Sequence, residues 1–383
     1  MHTGSCAISA LTGVGLLCLP VVCNAQIVGP TPQSPGVPIT PEQSKQVESE
    51  DWAVHGQGTV TWLLQPAFRS PYQGPQSLSP AANGRETVDI TLYAGIRPWP
   101  GAEIWINPEV DQGFGLSDTF GVAGYPSGEA YKVGKADPYF LVQRGFLRQT
   151  INLGGATEEL EPGLNQLGGT QTANRLVFTL GKYSIVDIFD TNKYAHDPRH
   201  DFLNWSIIDM SAFDYAANSW GYTYGGAVEW YRDWWTIRAG LFDLSLVPNS
   251  AVLSPGFAQG QFVAELEEGH TLWDQPGKLK LLYWLTRGNL GTYLDAISQG
   301  AATGQTPSTG AIRSFRTKDG LGLNLEQQLA SDFGIFARAS ISKGTVEEDA
   351  FTDINKSISG GLSLIGSRWP DLADWRRGFR FWI

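Results

Sequence analysis

The chain has 383 residues, with 27 Lys and Arg against 38 Asp and Glu, a formal net charge of −11 and a pI near 5.0. That acidic excess argues against a nucleic-acid partner, because a phosphate-binding surface needs a basic one. Only 17% of residues are charged, whereas Gly numbers 45 and aromatics make up 12%. This balance favours many short strands and turns over a helical fold.

The first 25 residues contain no Lys, Arg, Asp or Glu, and an apolar run from Leu11 to Val22 ends in Cys23-Asn24-Ala25. This reads as a secretory signal peptide cut before Gln26. Its n-region has only the terminal amine and His2 for positive charge, which raises the question of a misplaced start codon. Lipidation at Cys23 is the weaker reading, since bulky Val22 precedes it. All three cysteines, Cys6, Cys18 and Cys23, fall in this leader, so a mature chain would have no disulfide framework. Residues 26–50 carry Pro30, Pro32, Pro35, Pro38 and Pro41 and read as a periplasmic linker.

Segments with period-2 alternation follow. The clearest is Glu86–Arg97, with Val88, Ile90, Leu92, Ala94 and Ile96 on one face and Thr87, Asp89, Thr91, Tyr93 and Arg97 on the other. Next, Ala102–Gln112 sets Ile104, Ile106 and Val110 against Glu103, Trp105, Asn107 and Glu109. Similar segments lie at 54–64, 139–152, 174–183, 221–231, 234–244, 260–267, 279–288, 320–329, 332–342 and 357–365, about twelve in all. Each is roughly ten residues, the length a tilted strand needs to cross a bilayer. Connections alternate short and long, except that 153–173 is longer than the pattern wants. The expected fold is all-β: a transmembrane antiparallel β-barrel of porin type, with the apolar faces toward lipid and the polar faces toward a wet lumen. Trp99, Trp230, Trp235, Tyr222 and Tyr224 fall near strand ends, where interfacial girdles belong.

Three stretches carry a family resemblance: Asn107–Ala130, Arg144–Ile151, and Leu180–Arg199 followed by Phe202-Leu203-Asn204-Trp205. They resemble the carbohydrate-selective porins of Gram-negative outer membranes, the OprB-like family, over about Trp52 to Gly366. The resemblance implies a sixteen-stranded channel that passes glucose and related monosaccharides by diffusion, with no chemistry and no cofactor. Outer-membrane lipid would surround it, and a homotrimer is left open. After Trp369 the family would continue through further strands, whereas this chain runs Pro370–Ile383 without clean alternation; the expectation is a chain cut short near residue 370. The domain reading is therefore leader 1–25, linker 26–50, barrel 51–366 and atypical tail 367–383.

A sugar channel needs many weak hydrogen-bonding groups and aromatic faces, so that a solute can enter and leave. Arg97, Glu103, Trp105, Asn107, Glu109, Arg144 and Arg148 are the candidate lining; mutual charge neutralisation across a wet wall is the plainer account of each. The 113–138 loop is the candidate constriction, with Asp118 and Glu129 at it, the alternative being an external loop. Asp187, Asp190, Asn192 and Asp197 have the residue types of a Ca²⁺ site but not EF-hand spacing, and a loop packed by its own hydrogen bonds fits better. His196 and His200 are spaced like a zinc pair without the helical context. No metal or cofactor is therefore expected. The rival readings are a non-conducting barrel and an outer-membrane hydrolase using Glu103 and Glu109.

Overall fold

The computed structural model describes residues 49–73, 77–118, 134–350 and 353–365, together with three short strands at Ser5–Ile8, Val21–Asn24 and Arg380–Phe381. Twelve long strands form one antiparallel meander: β1 Trp52–Gln65, β2 Asn83–Ile96, β3 Ala102–Gly113, β4 Lys135–Leu160, β5 Gly169–Tyr183 and β6 Thr223–Arg232. The second half continues as β7 Trp235–Asp243, β8 Gly260–Leu272, β9 Gln275–Leu290, β10 Ser314–Ala330, β11 Phe333–Ser342 and β12 Lys356–Ile365. Every strand pairs with its sequence neighbours, and Arg380–Phe381 adds beside β12. Among the described residues β1 and β12 are not paired with each other, so the sheet has two edges. An edge in lipid leaves N–H and C=O groups without partners.

All twelve expected strands are present, and the one irregular connection resolves. β4 extends to Leu160 and β5 begins at Gly169, leaving an eight-residue link where the sequence suggested 153–173. Register shifts near Gly154 absorb extra residues in β4 and hid its alternation. Short links at one end then alternate with long ones at the other (66–82, 114–134, 184–222, 244–259, 291–313 and 343–355). The tight turn between β8 and β9 has positive φ at both Trp273 (52°) and Asp274 (58°), the geometry that matches the twist of a two-residue hairpin.

The two faces of the sheet are inverted relative to a soluble barrel. On β1, Gln57, Thr59, Thr61 and Gln65 are buried while Val54, Val60, Trp62 and Leu64 are exposed. On β2, Asp89 and Thr91 are buried and Ile90 is 59% exposed; on β3, Asn107 and Glu109 are buried and Ile106 is 49% exposed. A continuous apolar exterior of this kind is stable only against lipid. No helix among the described residues is long and apolar enough to cross a membrane; the strands are the crossing elements. The polar inner face is buried because the 184–222 segment folds against it. Phe189, Met210, Phe213 and Tyr215 of that segment are fully buried with Tyr183, Phe242 and Trp284 of the wall. Glycines make room at two contacts: an added Cβ at Gly322 would overlap Met210, and one at Gly334 would overlap the Tyr194 ring.

Candidate functional site

The inner wall of β1–β3 is acidic and amide-rich. Glu109 accepts a hydrogen bond from Thr91 Oγ1 at 2.5 Å and another from Gln143 Nε2 at 3.2 Å. Gln143 is the extra residue of a bulge in β4, set where Asn107 faces Arg144 and Pro108 faces Val142. Proline has no N–H for the ladder and is tolerated at such a bulge. The bulge in turn lets both Gln143 and Arg144 reach the inner side. Asn107 is fully buried beside it. Toward the short-turn end, Glu103 accepts from Trp105 Nε1 at 2.9 Å and pairs with Arg148 at 3.3 Å, its register partner. Trp105 is buried and stacks on His55, ring centroids 6.4 Å apart.

Arg144 forms a two-pronged ion pair with Asp187 (2.7 and 2.6 Å), and its guanidinium lies 5.0 Å from the Tyr222 ring. Desolvation inside the barrel works against the Asp187 charge. Arg144 and the Ser184 N–H outweigh it and hold that carboxyl below the usual range. Trp220 donates from Nε1 to the Tyr139 hydroxyl at 3.2 Å, and Lys135 sits 4.8 Å over the same ring. At the end of the 184–222 segment, cations, a carboxylate and aromatic faces thus share one region of the interior.

The inner wall of β6–β11 is different: it presents Arg238, Lys280, Lys318 and Arg338. Arg238 bridges Glu229, Glu265 and Glu267 at 2.8–3.0 Å across three strands, opposite charges set by register on one face. Lys280 contacts Glu267 and also donates to Thr191 of the inward segment. Arg338 pairs with Asp190 at 3.0 Å, and Asn324 donates to the same carboxylate at 2.6 Å. Lys318 lies against Glu348 and 3.8 Å from Asp214. On the acidic side, Arg199 reaches Thr59 Oγ1 at 3.0 Å and Asp89 at 3.5 Å.

Of the seven lining candidates, Glu103, Trp105, Asn107, Glu109, Arg144 and Arg148 share the inner face. Arg97 does not join them: it lies just past β2, where its side chain donates to the Glu50 and Gly168 carbonyls at 2.9 and 3.1 Å. Asp118 closes a 3₁₀ turn, Leu116–Asp118, but its side chain and all of Glu129 lie outside the described residues. The residues of the Ca²⁺-like run are engaged by protein groups: Asp187 by Arg144, Asp190 by Arg338 and Asn324, and Asn192 by the same Asn324. Glu103 and Glu109 are six residues apart on one strand, about 20 Å. That is well beyond the roughly 5–9.5 Å of a glycosidase carboxyl pair.

Sequence reading missed the four wall cations and the inward segment. Arg238 and Arg338 carry a usable signal, because each occupies a polar position within an alternating segment. The segment's signal is composition: Ile185, Ile188, Phe189, Phe213 and Tyr215 are too apolar for an exposed loop of that length.

Spanning strands, inverted faces and a charged interior with a folded-in segment define a porin-type β-barrel of the outer membrane. A family model described as the carbohydrate-selective porin, OprB family, matches residues 75–373, and the chain belongs to that family. Among solved structures it is similar to the high-pH structure of Pseudomonas putida OprB. The two share 15% identity over 84% of this chain and 71% of that one, with a TM-score of 0.57. At that identity the likeness concerns the fold. No curated protein matches.

Proposed function

We propose that the chain passes neutral monosaccharides such as glucose across a Gram-negative outer membrane by passive diffusion, without a cofactor. The observation that carries this reading is the junction of Arg144, Asp187 and Tyr222. A sugar presents hydroxyls around an apolar ring, and this junction offers charged hydrogen-bonding groups beside an aromatic face. Arg148, partly exposed, extends the hydrogen-bonding wall, and the buried Glu103, Trp105, Asn107 and Glu109 back it. Each contact is weak enough for a solute to leave.

The test is single-channel conductance in a planar bilayer with and without glucose, comparing the parent chain with Arg144→Ala and Arg97→Ala. Arg144→Ala should weaken glucose block about tenfold, equivalent to ~1.4 kcal/mol. Arg97→Ala, which loses only contacts to backbone carbonyls at the short-turn end, should leave block unchanged. Equal block in the parent and Arg144→Ala would remove Arg144 from the lining. A heat-modifiable, folded preparation without conductance steps would favour the second reading, a barrel closed by its own 184–222 segment.

A further inference from the structure

The exterior of the barrel is apolar along the strands, yet it carries a row of cations at the long-loop end. Arg287 lies on the outward side of β9: Leu285 and Arg287 are exposed while Trp284, Thr286 and Gly288 are buried. Lys343, one residue past the end of β11, is exposed and donates its backbone N–H to the Asp319 carbonyl, and Lys356 opens β12 two residues before Ile358, which is 86% exposed. That hydrogen bond sets Lys343 beside Asp319, and register sets Lys356 opposite Ile341. Neighbouring strands are about 4.8 Å apart and the register steps two residues from each cation to the next, so the row runs obliquely, roughly 14 Å across the strands and roughly 13 Å along them. Among the described residues no carboxylate lies within ion-pairing distance of any of the three cations. Asp319 is the outward carboxylate inside the row, which leaves three positive charges against one negative.

A groove adjoins Arg287. Leu241, Phe262 and Leu285 are cross-strand partners on β7, β8 and β9 and form one outward apolar shelf. Arg287 faces Gly260, which has no side chain, so a notch opens between the guanidinium and the shelf. Phe257 and Phe315 flank the notch, and the whole groove holds about 640 Å³. An arginine on a lipid-facing surface is costly unless its head reaches the interface or meets an anion. Here it sits at the rim, where headgroups lie, beside a cleft shaped for hydrocarbon.

We propose that this rim binds an anionic, phosphate-bearing membrane lipid: Arg287, Lys343 and Lys356 hold the headgroup, and an acyl chain lies in the groove on Leu241, Phe262 and Leu285. The chemistry is cation-to-phosphate pairing at a membrane surface combined with burial of hydrocarbon. The inference rests on the outer-membrane reading of the barrel but is independent of what passes through it.

The test is native mass spectrometry of the full chain in non-ionic micelles, titrated with phosphatidic acid, phosphatidylcholine or inorganic phosphate. Phosphatidic acid should give adducts at about fivefold lower concentration than phosphatidylcholine, and inorganic phosphate should not compete. The triple variant R287Q/K343Q/K356Q should lose that preference while keeping its heat-modifiable folded band and its conductance; Arg287→Lys should retain most of it. Equal adducts from both lipids, no adducts from either, or an unchanged preference in the folded triple variant would overturn the proposal. Competition by inorganic phosphate would reduce the site to a free-anion site and overturn it as well. Loss of conductance in the parent chain with the lipid preference intact would instead count against the channel reading alone.

Discussion

The two inner walls of this barrel solve the same problem differently. Across β1–β3 the buried groups are Asp89, Glu103, Glu109 and Asp111 with threonines and amides, and the cations that answer them come from elsewhere: Arg148 from β4 and Arg199 from the inward segment. Across β6–β11 the cations belong to the wall, and the answering carboxylates come partly from neighbouring strands and partly from the segment, through Asp190 and Asp214. The 184–222 segment is therefore fixed by charge complementarity on both sides, its aspartates to the basic wall and Arg199 to the acidic one. Contacts on the basic side are more deeply buried: side-chain exposure is 1% for Arg338 and 0% for Asp190, against 18% for Arg199. Burial raises what each broken contact costs, so the basic wall should dominate in holding the segment.

The largest effect should follow from Asp190→Ala. This change strands the buried Arg338 charge and removes acceptors for Asn324 Nδ2 and the Met210 N–H. Breaking one partner of a buried pair costs ~3–5 kcal/mol. The temperature at which the folded, fast-migrating gel band converts to the unfolded one should drop clearly. Single-channel conductance should rise as the segment leaves the wall. A variant with unchanged melting and unchanged conductance would mean that the segment is held by its apolar contacts alone.

Arg199→Gln should be milder, about 1–2 kcal/mol, because hydrogen bonds to charged groups contribute roughly 1.5–3 kcal/mol and partial exposure of this site lowers that. The glutamine can still donate to Thr59, but Asp89 loses its cation. If Arg199→Gln proved as damaging as Asp190→Ala by the same gel-shift melt, the ranking of the two walls would be reversed.

Most of the fold was legible because strand periodicity is imposed by the bilayer itself. One apolar residue in two must meet lipid, and segments such as Val88–Ile96 record that directly. The inner face was legible by the same parity, as Glu103, Trp105, Asn107 and Glu109 show. Arg97 fell to the wrong group because parity was continued one step beyond the strand: β2 ends at Ile96, and past a strand end the alternation no longer says where a side chain points. Contacts of the inward segment were not legible, because they join residues far apart in sequence, Asp190 with Arg338 being 148 positions apart. No local pattern encodes that pairing; it follows from which strands the meander brings opposite the segment.

The most diagnostic effect concerns Glu348 in the 343–355 link, where the basic wall meets a carboxyl pair. Burial first, and then the charge of Asp214, push the Glu348 carboxyl up to about 9, against the opposing pull of Lys318. The folded chain thus keeps a proton that the unfolded chain, at an ordinary value near 4.5, has already lost. Between those two values the folded state binds more protons, so this group's contribution makes stability fall as pH rises. Glu348→Gln mimics the protonated form and removes the titration. Melting of the variant should match the parent near pH 5 and exceed it near pH 8.5, with the gap growing between them. A variant less stable than its parent at pH 8.5 would show that Glu348 is ionised there and that its pairing with Lys318 outweighs both burial and the repulsion of Asp214.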